Sequence, residues 1–292
     1  MTTMQETSER PLRIVHVTDT HLSRSHAYFV DNWEIFCEII AADPPDLIIH
    51  SGDVSFNGPA HEDDLAFARV QMDRLPCPWL IVPGNHDIGE APRYSRLDQP
   101  LNDQRIAAWT RHFGAQYWLR DIGAWRIIGI DTALLGSDRA EEAEQRAFLN
   151  DALDSRDDRP VLLTMHMPPF VDTADDPKVT TSSVVPEARA ALLETCRAGG
   201  VRAIACGHLH VHHQKEWSGI DIVWGPCTSF VNMAQWHGRL GKFPRAGYME
   251  WLLDGNAFSH RLVQPVRMIS HDMGLWSELH GTTTKLPPRP QR

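Results

Sequence analysis

Cysteine is scarce in these 292 residues, and none of it forms a local pair. Cys37, Cys77, Cys196, Cys206 and Cys227 are scattered, odd in number and never spaced as C-x-x-C. That argues against a disulfide framework and a thiolate zinc site, and it fits reduced thiols in a cytoplasm. Long apolar runs are missing too. None approaches the roughly 18 residues of a membrane-spanning helix, and residues 1–10, MTTMQETSER, lack the apolar centre of a secretory signal. Net positive charge is absent: 28 Lys and Arg against 38 Asp and Glu leave −10. This weighs against stable binding of long nucleic acid through its phosphates. A small phosphorylated substrate stays open, because bound cations can invert a local field. With no repeat and no strong linker, one domain over residues 11–267 is expected. A flexible N-terminus (1–10) would precede it, and a Pro-rich basic tail (268–292), partly mobile, would follow.

What is present is a rhythm. The runs LRIVHVTD (12–19), DLIIHSGD (46–53) and PWLIVPGN (78–85) each read as a buried strand ending in polar residues, with helical spacing over 27–42 and 60–75 between them. Strand, helix, strand implies right-handed crossovers and a mostly parallel sheet. After a loop-rich region (88–118) come a strand at 124–132, a helix at 139–153, a strand at 160–169, a helix at 186–200 with Pro at its start and Gly at its end, and a strand and turn at 201–210. From 213 to 265 the pattern changes to antiparallel strands joined by Gly-containing turns.

Every one of the first-rank strands ends in metal-capable groups: TDTH, SGD, GNHD, MHMPP and CGHLH. Ligands of open α/β sheets gather at the carboxyl ends of strands, so Asp19, His21, Asp53, Asn85, His166, His208 and His210 are expected to converge. Two carboxylates, one amide oxygen and four imidazoles exceed the needs of one ion but suit two that share a carboxylate. Mixed nitrogen and oxygen ligation fits two divalent or trivalent transition-metal ions (Mn, Fe, Zn or Co). Such a pair, about 3.5–4 Å apart, would activate water and hold a phosphate. His86, one residue beyond Asn85, would point to the substrate as a donor, and Asp87 would orient its neighbours.

Asp19-x-His21, Gly52-Asp53, Gly84-Asn85-His86-Asp87, lone His166 and Gly207-His208-x-His210, in that order, resemble the signature of the calcineurin-like metallophosphoesterase superfamily. The resemblance spans residues 19–210 and implies an α/β fold, a four-layer αββα sandwich of two mixed sheets flanked by helices. It implies Asp19, His21, Asp53 and His210 on one ion and Asp53, Asn85, His166 and His208 on the other, with the 213–265 stretch completing the second sheet. Protein phosphatases of the superfamily carry Asp and Arg where Phe56 and Asn57 stand here. A phosphomonoester dianion gains much from a bidentate Arg, so its absence leans toward diesters. TDTHL, HMPP and CGHLH look like the bacterial class III cyclic-nucleotide phosphodiesterases and the related glycerophosphodiesterases, except that Met167 replaces their second His.

The expectation is therefore a phosphodiesterase acting on a small soluble diester, a cyclic nucleotide or glycerophosphodiester, by attack of a metal-bridging hydroxide, with Asp53 and His86 catalytic and Asn85 and His86 touching substrate. Alternatives are a phosphomonoesterase or nucleotide pyrophosphatase of the same superfamily and, outside enzymes, a scaffold that has lost its metals. A cytoplasmic location and no membrane partner are expected, and a homodimer or higher homo-oligomer by analogy alone. His16, His50, His212 and His213 read as structural, as does Asp131. Trp236 and His237, in the loop NMAQWHGRLGKFP, offer a lid that could stack on a base, with a structural lid or a subunit contact as the alternatives.

Overall fold

A computed structural model describes residues 10–91, 95, 99–239, 243–280 and 285–291; of the expected flexible N-terminus, residues 1–9 lie outside them. The chain begins β1 (Leu12–Val17), α1 (Val30–Ala42), β2 (Leu47–His50), α2 (Glu62–Met72) and β3 (Trp79–Ile81). A one-turn α3 (Asn85–Ile88) leads to α4 (Asp103–Phe113), β4 (Trp118–Ile122), β5 (Trp125–Gly129), α5 (Ala140–Asp154), β6 (Val161–Thr164), α6 (Pro186–Ala198) and β7 (Val201–Cys206). Then come β8 (His213–Trp217), β9 (Ile220–Trp224), β10 (Phe230–Val231), α7 (Met233–Trp236), β11 (Tyr248–Asp254), β12 (Ala257–Val263), β13 (His271–Asp272) and α8 (Met273–His280).

Two mixed sheets form, in the orders β12-β11-β1-β2-β3 and β4-β5-β6-β7-β9-β8. The two-residue period of a strand divides the core. In β1 and β2, Ile14, Leu47 and Ile49 face the other sheet, where Leu162, Ala203, Ala205 and Val223 meet them. Val15, Val17 and Ile48 face the opposite way, onto Trp33, Phe36 and Leu65 of α1 and α2. Leu163, Ile204 and Ile222 likewise pack on Leu149 and Leu153 of α5 and Leu192 of α6. Helices, sheet, sheet, helices: these contacts make four layers.

Two expectations need correction. The 213–265 stretch does not all join the second sheet. β8 and β9 do, but β11 and β12 cross to the first, with β11 antiparallel to β1 (Ile14 opposite Trp251). Met249, Trp251 and Leu253 then supply the inner face there. The loop-rich region 88–118 contains α4, capped by the Asn102 side chain accepting from Arg105 N at 3.0 Å and anchored by buried Trp109. Asn102 opens that helix as a polar N-cap should.

Candidate metal centre

The parallel strands β1, β2 and β3 of one sheet and β6 and β7 of the other end beside each other, and the turns that follow are unusual in their backbone. Nine described non-glycine residues have positive φ, and five are candidate ligands: Asp19 (53°), His21 (47°), Asp53 (56°), His208 (70°) and His210 (55°). Asp and His tolerate the left-handed region better than most side chains, yet holding each there costs on the order of 1–3 kcal/mol. Main-chain bonds between neighbouring turns hold it: Asp19 N to Gly52 O (3.0 Å), His21 N to Asp53 O (3.0 Å) and Gly207 N to His166 O (2.9 Å). Glycine permits the closest approaches. A Cβ on Gly84 would collide with the Asp53 main-chain nitrogen and carboxylate, and one on Gly207 with Thr18 Oγ1 and Asp19 Oδ2.

All seven candidate ligands come together. Asp19, His21, Asp53 and His210 offer atoms within 4.8 Å of one another, as do Asp53, His166 and His208, so Asp53 belongs to both groups. Its Oδ2 lies 3.7 Å from His21 Nε2 and 3.3 Å from His166 Nε2. Asn85 Oδ1 is 3.2 Å from His166 Nε2. Three of the imidazoles are oriented from behind by carbonyls: His166 Nδ1 by Ser51 O (2.8 Å), His210 Nδ1 by Phe230 O (2.6 Å) and His208 Nε2 by Thr181 O (2.6 Å). A nitrogen facing a carbonyl must carry the proton, so the opposite nitrogen presents a lone pair to the cluster. Lone pairs then meet where His208 Nδ1 lies 3.2 Å from His166 Nε2, and the lone pair of His210 Nε2 faces His21 Nε2 at 3.3 Å. Asp19 Oδ1 is buried, makes no hydrogen bond and lies 3.1 Å from His210 Nε2. Inward-facing lone pairs and carboxylates need positive charge between them, and the donor set fits a pair of cations. With protons alone the same demand shows in His166. Burial disfavours its charged form, but Asp53 and Asp19 outweigh burial and lift its pKa to about 9.

Residues 12–212 match the family of calcineurin-like phosphoesterases. The chain belongs to that family. It is 27% identical over 221 residues to a probable glycerophosphodiester phosphodiesterase, GpdQ, of Arcobacter nitrofigilis, covering 72% of this chain and 76% of that one. It is 26% identical over 238 residues to the 3′,5′-cyclic adenosine monophosphate phosphodiesterase CpdA of Escherichia coli K12, covering 77% and 79%. Among solved structures, the purple acid phosphatase PPD1 of yellow lupin (Lupinus luteus) shares the fold with a TM-score of 0.64 at 16% identity, over 86% of this chain and 51% of that longer one.

Other residues of the phosphoesterase frame this centre. His86 is half-buried, its ring 4.6 Å from that of His21. Its main-chain N–H donates to Asp53 Oδ1 at 2.7 Å, and its Nδ1 faces Phe56 O at 2.8 Å. Asp87 points away. Its carboxylate accepts from the main-chain N–H of Gly84 (2.9 Å) and Ser55 (2.8 Å) and from Ser55 Oγ (2.7 Å), tying the β2 turn to α3. Burial, with the Asp53 charge adding to it, raises its pKa to about 6. His16 Nε2 meets Ser51 Oγ (2.8 Å) and His50 Nε2 meets Thr20 Oγ1 (3.1 Å); burial lowers both to about 3. They are neutral struts of the strand ends. His212 Nδ1 meets Trp224 O at 3.0 Å, and His213 belongs to β8. Asp131 is fully buried, bonded to Ala133 N and Gln116 Nε2 (2.7 Å each).

The stacking lid is overturned in part, and residues 240–242 of its loop lie outside the described residues. Trp236 is 1% exposed and packs 6.2 Å from Trp224, so its ring is core and unavailable to a base. The expected Asp-to-Phe56 and Arg-to-Asn57 differences are both internal: Phe56 stacks on His26 at 4.9 Å, and Asn57 Oδ1 accepts from Gln99 Nε2 at 2.8 Å. Sequence reasoning missed the four orienting carbonyls of Ser51, Phe56, Thr181 and Phe230. It also missed Ser229, whose Oγ donates to Asp19 O at 2.6 Å. Beside Asn85 and His166 runs a narrow cavity lined by Glu90, Thr132, Met167, Thr181 and Ser183, with no Lys or Arg among its described lining residues. No described helix is long and apolar enough to cross a membrane.

Proposed function

We propose that this phosphoesterase hydrolyses small soluble phosphodiesters of the cyclic-nucleotide or glycerophosphodiester class in the cytoplasm. The observation that carries this is the convergence of seven lone-pair donors on one buried cleft, two groups of them sharing Asp53. Asp19, His21, Asp53 and His210 would hold one transition-metal ion, and Asp53, Asn85, His166 and His208 the other. When bound, the pair supplies Lewis acidity to the phosphoryl group and lowers the pKa of water toward about 7. The chain's own residues do the rest. Carbonyls of Ser51, Phe230 and Thr181 fix three imidazoles in the ligating tautomer. His86, anchored through Nδ1–H, would offer Nε2–H to the leaving oxygen as the doubly protonated imidazolium.

The choice of diester rests on charge. A monoester dianion calls for a cationic clamp, whereas the cavity next to Asn85 has none among its described lining residues, and Asn57 occupies the place of the protein phosphatases' Arg. The names of the two relatives, one a glycerophosphodiesterase and one a cyclic-nucleotide phosphodiesterase, agree. The test is a substrate panel on metal-reconstituted protein. The kcat/KM for bis-p-nitrophenyl phosphate should exceed that for p-nitrophenyl phosphate at least about tenfold, a difference of about 1.4 kcal/mol. Cyclic nucleotides and glycerophosphodiesters then resolve the class. A monoester preference overturns the proposal.

A further inference from the structure

The segment 285–291, LPPRPQ with a preceding Lys, is a strap across residues 24–28, far from any catalytic motif in sequence. Three prolines leave it few N–H groups, and both of its later ones are used: Arg289 N donates to Ser25 O (2.7 Å) and Gln291 N to Arg24 O (3.0 Å). Arg289 O accepts from Ala27 N (2.8 Å), Pro287 O accepts from the Tyr28 hydroxyl (2.7 Å), and the Arg289 guanidinium lies over the Tyr28 ring at 5.4 Å. Leu286, 4% exposed, enters a small buried cluster with Phe29, Phe56, Phe230 and Met273, separate from the main cores.

Two members of that cluster act on the metal centre through their main chains. Phe230 presents its carbonyl to His210 Nδ1 and sets its ring 4.1 Å from that of His210 and 4.9 Å from that of His21. Phe56 presents its carbonyl to His86 Nδ1, and its ring stacks on His26, whose backbone pairs with Arg289. Phe230 is held from a second side by β13, pairing with His271. We infer that the C-terminal strap, with Leu286 as its anchor, is a positioning element for His210 and His86, acting through Phe230 and Phe56. It braces the Asp19–His21–Asp53–His210 half of the centre and, among the described residues, makes no hydrogen bond to the His166–His208 half, whose imidazoles are oriented by Ser51 and Thr181.

This inference rests on the two-ion reading above. The test is manganese titration of the metal-free full chain, a chain ended at Thr284 and the Leu286→Ala variant, followed by calorimetry and by the paramagnetic resonance of coupled and single ions. Groups that orient metal ligands are worth roughly 10–100-fold in metal affinity. Both altered proteins should therefore bind one ion as the wild type does and the second about 10–100-fold more weakly, with loss of the coupled signal. Leu286→Ala should do so while the metal-free protein unfolds with undiminished cooperativity. Equal weakening of both ions, or of neither, overturns the inference while leaving the two-ion reading intact. A wild-type chain that takes up no ion overturns both.

Discussion

At the scale of single residues, the centre is built from strained positions. Five candidate ligands in the left-handed region would each relax in a free peptide, and they persist because adjacent turns lock one another. Asp53 carries the heaviest load: it belongs to both ligand groups, and its Oδ1 also holds the His86 main chain. Asp53→Ala should therefore abolish binding of both ions, read as metal content below about half an ion per chain against two for wild type. His86→Ala should keep both ions and lose about 10²–10⁴ in turnover, because a general acid or oxyanion donor is worth that much. Near-full turnover in His86→Ala would remove that side chain from catalysis. The seven candidate ligands and His86 were legible in the sequence, since each follows an apolar strand. Their orienters were not. Ser51, Phe56, Thr181 and Phe230 contribute carbonyl oxygens, and a main-chain atom leaves no mark on residue type.

At the scale of elements, strand ends determine the site and glycines determine how tightly the ends close. Gly84 caps α3 where the chain passes against Asp53. A methyl there meets main-chain nitrogen, which cannot swing aside as a long side chain could. Gly84→Ala should displace Asp53 and Asn85 together, costing about 1–3 kcal/mol of stability and both ions. Urea unfolding with metal analysis checks this; an unchanged metal content would show that the turn can yield. The alternating elements up to β9, α3 and α4 apart, were readable from apolar periodicity. β4 was not, because Leu119, Arg120 and Asp121 are exposed on an edge strand and show no alternation. The crossing of β11 and β12 to the first sheet was hidden for another reason: antiparallel pairing with β1 joins residues some 240 apart (Leu12 with Leu253). Periodicity reports which face of a strand is buried, not which sheet buries it.

At the scale of the whole molecule, the cleft exists only where the two sheets dock. Asp19, His21, Asp53 and Asn85 come from one, His166, His208 and His210 from the other. Packing such a seam encloses charge-bearing groups that water would otherwise solvate, and Asp131, at the end of β5, shows the consequence. Burial outweighs the hydrogen bonds from Ala133 N and Gln116 and raises its pKa from 3.8 to about 7. The folded chain therefore keeps this proton up to about pH 7, while the unfolded chain releases it near 3.8. Between those values the native state holds more protons, so this group's contribution to stability is full below about pH 4 and is lost as pH rises through 7. Asp131→Asn is neutral throughout. Its Oδ1 can still accept from Ala133 N, and Gln116 can turn its amide to accept in place of donating. Relative to wild type the variant should gain on the order of 4 kcal/mol between pH 4 and pH 8. Denaturant titrations of both proteins in chelator across that range measure the difference directly, with the other buried groups common to both. A difference that does not change with pH would mean that the Asp131 carboxyl is already ionised at pH 4 in the folded chain, and that the seam between the sheets admits water there.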